Sequence, residues 1–600
     1  MTNKFKNFLY NNKSCIFYCF ILFIILLLLV IPKLMHQYSV GVANWDTFLY
    51  LENGRNFAKM GWGDVPSIAP VLPMLIAKLF LLAGHTYVEA IFNIDVVFYI
   101  IGVIVFFLIL RFKFDNNTSL IGSLIYATFT LLYSWVAVGG NDIIGVTGTL
   151  VTIYFIILAC NYNSKFFYPA FFIAAYAFLS RYTAGIMIFA IITYLIMKKP
   201  NLKQLRDIII GIIIGVVGIL WFLDEFNKKL NTPFPFMGQF SGTVSNTKVI
   251  DAGFLPDSWY YITHIPNYLS STIPPGCGFN AVINPMGNIP TILSDIYIIL
   301  MMVGFILIFY NIFKKVKSSD IKFLTQKNSI LIITTIIVFS ACILTISNVS
   351  YITTNILFMV VLVELYYIFK KYDIKYLSYD FLMISLFFIY LIFQSVLYTK
   401  NDRYFITVLP FIAYFITNAI YYIFKYINHK ISSIKNIKPT TIITAVVVIF
   451  LVFNSLSFAA SIPDKSDYDD IKDACDWFNE NYPDYNNKTL IYSDNWPAIS
   501  WYLNIYAQRG VLEAGDNATD QLAYMMLADN KTHHAAHFYI DTKNNNKNNY
   551  TGFTKVYQTG GVTIYQNTYL QSHDYKDLQS DEYDKYYYEL FNKTSVDVWF

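Results

Sequence analysis

The sequence contains little charge for its length. Only 14% of its 600 residues are charged, whereas 56% are hydrophobic and 18% are aromatic. A soluble globular chain has about 25% charged residues, so this composition excludes an ordinary soluble domain and indicates a chain that lies largely in lipid. The net charge of +4 is small, and no nucleic-acid partner is expected.

Cysteine and several well-known motifs are also scarce. Of six cysteines, only Cys277 and Cys475 fall in polar segments, and their spacing gives no argument for a disulfide. There is no Gly-x-x-x-x-Gly-Lys loop, which disfavours an ATP-driven pump. There is no Ser or Cys nucleophile elbow and no pair of broken helices in matching halves, as a secondary transporter would have. A histidine group at His533, His534 and His537 lacks convincing partners for a metal.

Long apolar runs divide the first three quarters of the chain. A bilayer core needs about 20 apolar residues per helix. The first run has lysines ahead of it but is long and lacks a small-residue cleavage site, so we interpret it as a retained span and not as a signal peptide. The sequence predicts about thirteen transmembrane helices, near residues 15–34, 89–110, 118–138, 142–160, 166–180, 183–197, 207–223, 291–312, 328–347, 350–369, 377–398, 404–424 and 440–460.

Lysine and arginine are unevenly distributed between these runs. If the N-terminus is cytoplasmic, nearly every predicted cytoplasmic connection carries lysine or arginine, whereas short outer connections such as 139–141 carry none. This is the pattern of the positive-inside rule. It favours an odd number of spans, and it predicts a multi-pass cell-membrane protein with a cytoplasmic N-terminus and an extracytoplasmic C-terminal region.

Three predicted outer segments are too long to be simple connections. We expect a transmembrane domain at 1–460, with extracytoplasmic loops at 35–88 and 224–290, and a small extracytoplasmic α/β domain at 461–600. The predicted fold class is therefore a polytopic α-helical membrane protein with a small C-terminal α/β domain.

Local patterns indicate structure inside these outer segments. In the first loop, the proline-punctuated amphipathic stretch 67–80 suits a helix lying on the membrane surface. In the last segment, residues 467–481 have helical periodicity, and 489–493, 537–540 and the run that ends at Tyr565 are typical of strands.

Two acidic residues lie at the predicted outer membrane level. Asp46 stands in an apolar, aromatic stretch just after the first span, where an ionisable group is costly unless it has a function. Asp142 begins the fourth span. Each has a structural alternative, because Asp46 could cap a helix that starts at Thr47 and Asp142 could interact with its helix dipole. Together they could activate a hydroxyl and hold it in place.

Arginine at the outer face runs against the positive-inside trend. Arg403 precedes the twelfth span, within Asp402-Arg403-Tyr404-Phe405. It either reaches toward lipid headgroups or clamps a lipid-linked phosphate, for which a guanidinium has suitable geometry. Arg181, in the short turn after the fifth span, is a second candidate for the same role.

In their order and membrane placement these motifs resemble those of the polytopic C-type (GT-C) glycosyltransferases. The similar group is the family-39-like one, related to protein O-mannosyltransferases and to the bacterial lipid A aminoarabinose transferase. The resemblance covers roughly residues 1–460. Its motifs are Trp45-Asp46, Pro70 and Pro73, Asn141-Asp142-Ile143, the segment 179–185, and the segment from Asp402 to Pro410.

The resemblance implies inverting transfer of a hexose or pentose from a polyprenyl- or dolichyl-phosphate carrier to an acceptor hydroxyl outside the membrane. Asp46 would be the general base and Asp142 the second acid, while Arg403, Tyr404 and Arg181 would bind the donor phosphate. Many relatives have two adjacent acids in the first loop, whereas Thr47 follows Asp46 here. This favours a metal-independent mechanism, with a divalent metal as the alternative. The acceptor, whether protein, lipid or glycan, stays open.

Two other functions are compatible with the sequence. One is a transporter or flippase of lipid-linked sugars. The other is a glycan-binding scaffold that uses aromatic residues of the last segment, Trp496, Trp501 and Tyr502, although packing in the core of that domain is the favoured interpretation of these residues.

Overall fold

The computed structural model describes most of the transmembrane region and part of the C-terminal domain. Much of the predicted second outer loop lies outside the described residues, as do His533 and His534. The described residues are 13–63, 69–234, 257–319, 326–346, 351–397, 400–431, 438–485, 489, 491–509, 537–542 and 553–567.

The first part of the chain is a series of helices. Their ends follow local chemistry: Asp115 accepts a hydrogen bond from the backbone N–H of Thr118 at the start of one, and Asn201 forms a capping box with Gln204 at the start of another. The helices are α1 (Lys13–Val40), α2 (Trp45–Phe57), α3 (Val71–Ala83), α4 (Glu89–Leu110), α5 (Asn116–Thr128), α6 (Thr130–Trp135), α7 (Asp142–Asn161), α8 (Phe167–Ser180), α9 (Met187–Lys198) and α10 (Leu202–Leu230).

The second part has shorter helices in its predicted outer loop and then long ones again. Two-residue strands β1 (Ser271–Thr272) and β2 (Ile289–Pro290) pair in antiparallel fashion across this loop, and a 3-10 segment, Asp402–Thr407, leads into one of the long helices. The helices are α11 (Tyr260–Thr263), α12 (Ile265–Leu269), α13 (Asn280–Ile283), α14 (Ile292–Lys317), α15 (Gln326–Thr345), α16 (Tyr351–Phe369), α17 (Leu377–Val396), α18 (Leu409–Lys430) and α19 (Pro439–Ala459).

Nine helices in the described part of the chain are long and apolar enough to cross a membrane, namely α1, α4, α7, α10, α14, α15, α16, α17 and α19. Each coincides with a predicted span. The other four predicted spans fall on the α5–α6 pair, α8, α9 and α18, which do not meet this criterion of length and composition. Two of them are short, with 14 residues in α8 and 12 in α9. The α5–α6 pair is interrupted because Phe129 has an extended ψ of 130°.

Helix α3 corresponds to the predicted membrane-surface helix. It begins at Val71, directly after Pro70. Leu72, Ile76 and Phe80 are fully buried, and the helix packs against α2. One side of helix α3 is therefore packed against the rest of the protein.

The C-terminal domain is an α/β unit, as predicted. Its five strands lie in the order β4-β3-β5-β7-β6, in which β3 is parallel to β4 and β5, and β7 is antiparallel to β5 and β6. Both Cys277, which is exposed, and Cys475, which is buried, are free thiols. The elements are α20 (Asp469–Asn481), β3 (Ile491–Ser493), α21 (Trp496–Leu503), β4 (Ala507–Arg509), β5 (Phe538–Asp541), β6 (Phe553–Thr559) and β7 (Val562–Asn567).

This domain packs directly on helix α2 of the first outer loop. The ring of Phe48 lies 5.1 Å from that of Tyr468 and 5.6 Å from that of Tyr502. Arg55 donates hydrogen bonds to the carbonyl oxygens of Ser500 (3.0 Å) and Trp501 (2.9 Å). Trp501 and Tyr502 are thus engaged in a contact between the C-terminal domain and the first loop.

Candidate active site

Asp46 lies in the first turn of α2 but is not the cap of that helix. The N-cap is Asn44, in an extended conformation, and the helix begins at Trp45, so the helix-cap interpretation of Asp46 is wrong. The Asp46 carboxylate instead accepts a hydrogen bond from the Arg403 guanidinium. The side chain of Asp46 is 23% exposed, which leaves room for a second partner.

Arg403 is held inside the protein. Its guanidinium stacks over the rings of Trp135 (5.5 Å) and Tyr404 (5.7 Å), and its Nε lies 3.9 Å from Oδ2 of Asp142. The side chain is only 12% exposed, so the interpretation of Arg403 as a headgroup-seeking surface residue is wrong. Although burial opposes the charged form, Asp46 and Tyr404 raise the pKa of Arg403 above its usual value.

Asp142 and Arg181 form a second ion pair, which is more deeply buried. Asp142 is the first residue of α7, and its carboxylate contacts the Arg181 guanidinium. The Arg181 Nε also donates to Oγ1 of Thr183 at 2.8 Å. Burial, followed by the nearby Arg403 charge, lowers the pKa of Arg181 to about 10, which still leaves it cationic at neutral pH.

Glycine at position 145 makes the second pair possible. It lies one turn after Asp142 on α7, and a Cβ at this position would come within 2.8 Å of Cβ of Arg181. Because backbone and side chain approach so closely, only glycine lets the arginine lie against this helix. The spacing Asp142-x-x-Gly145 therefore has a direct structural reason.

Tyr404 joins the two ion pairs. The Arg181 Cζ lies 4.9 Å from the centroid of its ring, and Arg403 lies beside the same ring. Such contacts favour the cationic form of both arginines. The structure thus brings together all five residues named from the sequence, from four distant parts of the chain, as one cluster of two carboxylates, two guanidinium groups and a phenol.

Two buried ionisable residues that we did not predict support this cluster. Asp95 of α4 accepts hydrogen bonds from the backbone N–H groups of Gly139 (2.7 Å) and Gly140 (3.2 Å), just before Asp142. Lys33 of α1 donates to the carbonyl oxygens at the end of α6, including that of Ser134 at 2.5 Å. A sequence signal existed, because an ionisable residue in an apolar span is a functional candidate.

Gly139 has a conformation that suits this support. Its φ is +96°, a region that side chains disfavour. The Thr47 hydroxyl, next to Asp46, donates to the Gly139 carbonyl oxygen at 2.7 Å. The turn before Asp142 is therefore tied to both α4 and the start of α2.

The second outer loop is attached beside Arg403. The Asp402 carboxylate accepts hydrogen bonds from the hydroxyls of Tyr260 (2.7 Å) and Tyr268 (2.9 Å) and from the backbone N–H of Met286 (2.7 Å). The Trp135 indole donates to the carbonyl oxygen of Ile283 at 2.9 Å. This loop therefore forms part of the surroundings of the cluster.

The C-terminal domain also reaches the cluster. The ring of Trp496 lies edge-on to that of Trp45 at 5.9 Å, next to Asp46. Across the described residues, no group of three or more His, Cys, Asp or Glu side chains is placed to hold a metal ion.

Comparisons with known proteins concern the family and the fold of this chain. A sequence model of the family described as dolichyl-phosphate-mannose-protein mannosyltransferase matches residues 64–223. The matched region contains Asp142 and Arg181. The resemblance predicted from the sequence is confirmed.

Solved structures of ArnT from Cupriavidus metallidurans are similar in fold. The one bound to undecaprenyl phosphate has a TM-score of 0.53 at 9% identity, and the match covers 93% of this chain and 98% of that chain. The apo structure gives the same score and identity, with 91% and 98% covered. The chain has a GT-C-like fold.

This GT-C-like chain is therefore a multi-pass membrane protein, and its family match and fold together indicate a glycosyltransferase. A search of curated proteins gives no significant match to its sequence.

Proposed function

We propose that this protein transfers a sugar from a polyprenyl- or dolichyl-phosphate carrier to an acceptor hydroxyl at the outer face of the membrane, with inversion at the sugar carbon. The main observation in support is the contact between Asp46, the more open of the two carboxylates in the cluster, and Arg403, whose side chain is mostly covered. In the proposed mechanism Asp46 is the base for the acceptor and Arg403 is the neighbouring cation for the donor phosphate. The ArnT structure with undecaprenyl phosphate supports a carrier of this chemical class.

The proposed reaction needs one base and a stabilised leaving group. The acceptor oxygen forms a bond to the sugar carbon while the bond from that carbon to the phosphate oxygen breaks, and its electron pair leaves with the carrier phosphate. Asp46 takes the proton of the acceptor hydroxyl. Arg403 and Arg181, with Tyr404, stabilise the negative charge that develops on the phosphate. Asp142 holds both arginines in place through its contacts with them.

The Asp46–Arg403 contact implies an exchange of partners. One N–H group of Arg403 cannot hold both the Asp46 carboxylate and a donor phosphate at the same time. When a donor phosphate takes that N–H group, the Asp46 carboxylate is released to meet the acceptor hydroxyl. In this mechanism the base becomes effective only after the donor has bound.

The orientation of the site is also part of the proposal. The distribution of lysine and arginine supports a cytoplasmic N-terminus, which puts Asp46, the second outer loop and the C-terminal domain outside the cell membrane. The acceptor would then be a protein, lipid or glycan of the cell envelope.

Replacement of the base tests the proposal. Asp46→Asn should fold and insert normally but lose transfer by about 10²- to 10⁴-fold. Mass spectrometry of surface glycans and glycoproteins, with and without this chain, would identify the product, and release of carrier phosphate in proteoliposomes would give the rate. Asp473→Asn, an exposed acid on α20, is the matched control. Wild-type activity in Asp46→Asn would refute the assignment, and movement of labelled carrier without product would favour a flippase.

A further inference from the structure

A separate cleft lies beside the proposed catalytic cluster. It has a volume of about 630 Å³ and is lined by the second outer loop between Tyr260 and Asn288 and by residues 400–402. Binding sites for small molecules measure roughly 300–1,000 Å³. None of the five residues of the catalytic cluster lines it. We call it the outer-loop cleft.

Carboxamide side chains dominate the polar lining of this cleft. They belong to Asn280, Asn284, Asn288 and Asn401. Asn288 is 4% exposed, and its Nδ2 donates to the Ala281 carbonyl oxygen at 3.0 Å. Its Oδ1 accepts no hydrogen bond from any described residue. A buried acceptor without a donor is unfavourable, so this atom points to a ligand that donates a hydrogen bond.

The two ionic residues of the cleft are already engaged. The Lys400 Nζ donates to the carbonyl oxygens of Gln394 and Ser395, both at 2.8 Å. The Asp402 carboxylate accepts three hydrogen bonds from the second outer loop, as described above. Neither charge is free to dominate recognition, so the lining suits a neutral ligand better than an anion or a metal ion.

A neutral ligand rich in hydroxyl groups fits this lining. Each carboxamide offers both a donor and an acceptor, as each sugar hydroxyl does. The Tyr260 ring and the Met286 thioether add apolar surface, against which the C–H face of a sugar ring can pack. We propose that the outer-loop cleft binds a saccharide.

The outer-loop cleft lies next to Arg403, the proposed ligand of the donor phosphate. Asn401 and Asp402 immediately precede Arg403. Helix α13, which includes Asn280, accepts a hydrogen bond from the Trp135 indole, and the guanidinium of Arg403 lies over that indole ring. The inference rests on the proposed function, in which a sugar is handled at this face. The bound saccharide is either the sugar of the lipid-linked donor or a sugar of a glycan acceptor.

Cys277 provides a reporter for binding. It lines the cleft and is exposed, whereas the other cysteines are buried or partly buried. The full-length protein in proteoliposomes would be labelled with a maleimide during titration with methyl α-mannoside, methyl β-glucoside, N-acetylglucosamine, mannose 1-phosphate and inorganic phosphate. We expect at least one saccharide to slow labelling of Cys277 in a saturable way. Stronger protection by the sugar phosphate identifies the donor sugar, and stronger protection by a methyl glycoside identifies an acceptor glycan.

Variants and a second reporter make the test specific. Asn288→Ala should raise the half-protecting concentration about tenfold, the effect of losing one hydrogen bond. Asn284→Ala, at the rim, tests the same point if the buried variant fails to fold. The double variant Cys277→Ser/Glu480→Cys moves the labelled thiol to an exposed position on α20. Saccharides should not slow maleimide labelling of that thiol.

Three results would overturn the inference: no protection by any saccharide, equal protection by inorganic phosphate, or equal slowing of the Glu480→Cys reporter. Asp46→Asn should retain protection of Cys277. A failure of the proposed catalytic role therefore leaves this assay unchanged, and the two proposals can fail separately.

Discussion

The carboxylate of Asp46 is hydrogen-bonded to the guanidinium of Arg403, although 357 positions separate them in the sequence. In the proposed reaction one of these groups serves the acceptor and the other serves the donor. Each therefore competes with a substrate for its partner, and substitutions at the two positions should have different effects on binding and on transfer.

Measurements of donor binding should distinguish the role of Arg403 from that of Asp46. Arg403→Ala should weaken the binding of undecaprenyl phosphate by tenfold or more, because a charge-assisted contact is worth about 1.5–3 kcal/mol, and it should also slow transfer. Asp46→Asn should slow transfer but bind this lipid as well as the wild type or better, since the competing carboxylate is gone. Equilibrium binding to purified protein and single-turnover transfer measure the two effects.

Arg206→Ala is the matched control for this comparison. Arg206 pairs with Asp207, its side chain is 63% exposed, and it lies in a predicted cytoplasmic connection, so neither binding nor transfer should change. If Asp46→Asn weakened lipid binding as much as Arg403→Ala does, the ion pair would be structural and the exchange of partners would be refuted.

Asp95 should act as a positioning residue. Asp95→Ala removes the acceptor for the N–H groups of Gly139 and Gly140, so the turn before Asp142 loses its support. We expect kcat to fall by about 10²-fold, as small misplacements in an active site do, with little change in KM for the donor. Asp95→Asn keeps an acceptor oxygen and should retain much more activity. Equal losses in the two variants would contradict this role.

The sequence reveals the candidate residues but not their pairing. Asp46 and Arg403 stand out because charge is rare at the outer ends of apolar runs, and hydropathy gives their level in the membrane. It does not give the rotation of each helix about its axis, which decides that Arg403 meets Asp46 while Arg181 meets Asp142. Those contacts depend on packing between elements far apart in the sequence.

The interruption between α5 and α6 shows a second limit. Phe129 leaves helical geometry although neither glycine nor proline lies there. A tertiary contact lies at the break: the backbone N–H of Ser271, 141 positions away, donates to the hydroxyl of Thr130 at 3.0 Å. Asp95 was missed for a different reason, because a hydropathy average over about 20 residues conceals a single ionisable residue.

Arg55 should hold the C-terminal domain on helix α2. Its guanidinium donates to the carbonyl oxygens of Trp62, Ser500 and Trp501 and lies 4.8 Å from the Trp501 ring. Arg55→Ala should lower the unfolding temperature and speed proteolysis of the C-terminal domain, because buried carbonyl groups lose their donors. Arg55→Lys keeps the charge but not the planar fork, and should be intermediate. An unchanged proteolysis rate in Arg55→Ala would show that this contact does not hold the domain.

Cys277 should report the orientation of the protein. It is exposed in the predicted second outer loop, which the charge pattern predicts to lie outside the cell. A membrane-impermeant maleimide added to intact cells should label the wild type and not Cys277→Ser. Labelling that requires permeabilised cells would reverse the predicted topology.

Stability should depend on pH through Lys400. Burial lowers the pKa of Lys400 to about 8, with Asp257 opposing the effect, whereas an unfolded lysine has a pKa of about 10.4. Between these values the unfolded chain binds more protons than the folded protein does, so stability should rise with pH. The neutral amine still donates to the carbonyl oxygens of Gln394 and Ser395, so these contacts survive deprotonation.

Lys400→Met removes this titrating group. Relative to that variant, the wild type should gain thermal stability as the pH rises from about 8 to about 10.4, the interval between the folded and unfolded pKa values. Lys375→Met, at the end of a predicted cytoplasmic connection, is the control and should keep the wild-type slope. If Lys400→Met also keeps that slope, the lysine titrates alike in the folded and unfolded chains, and its amine is not held out of water as the structure places it.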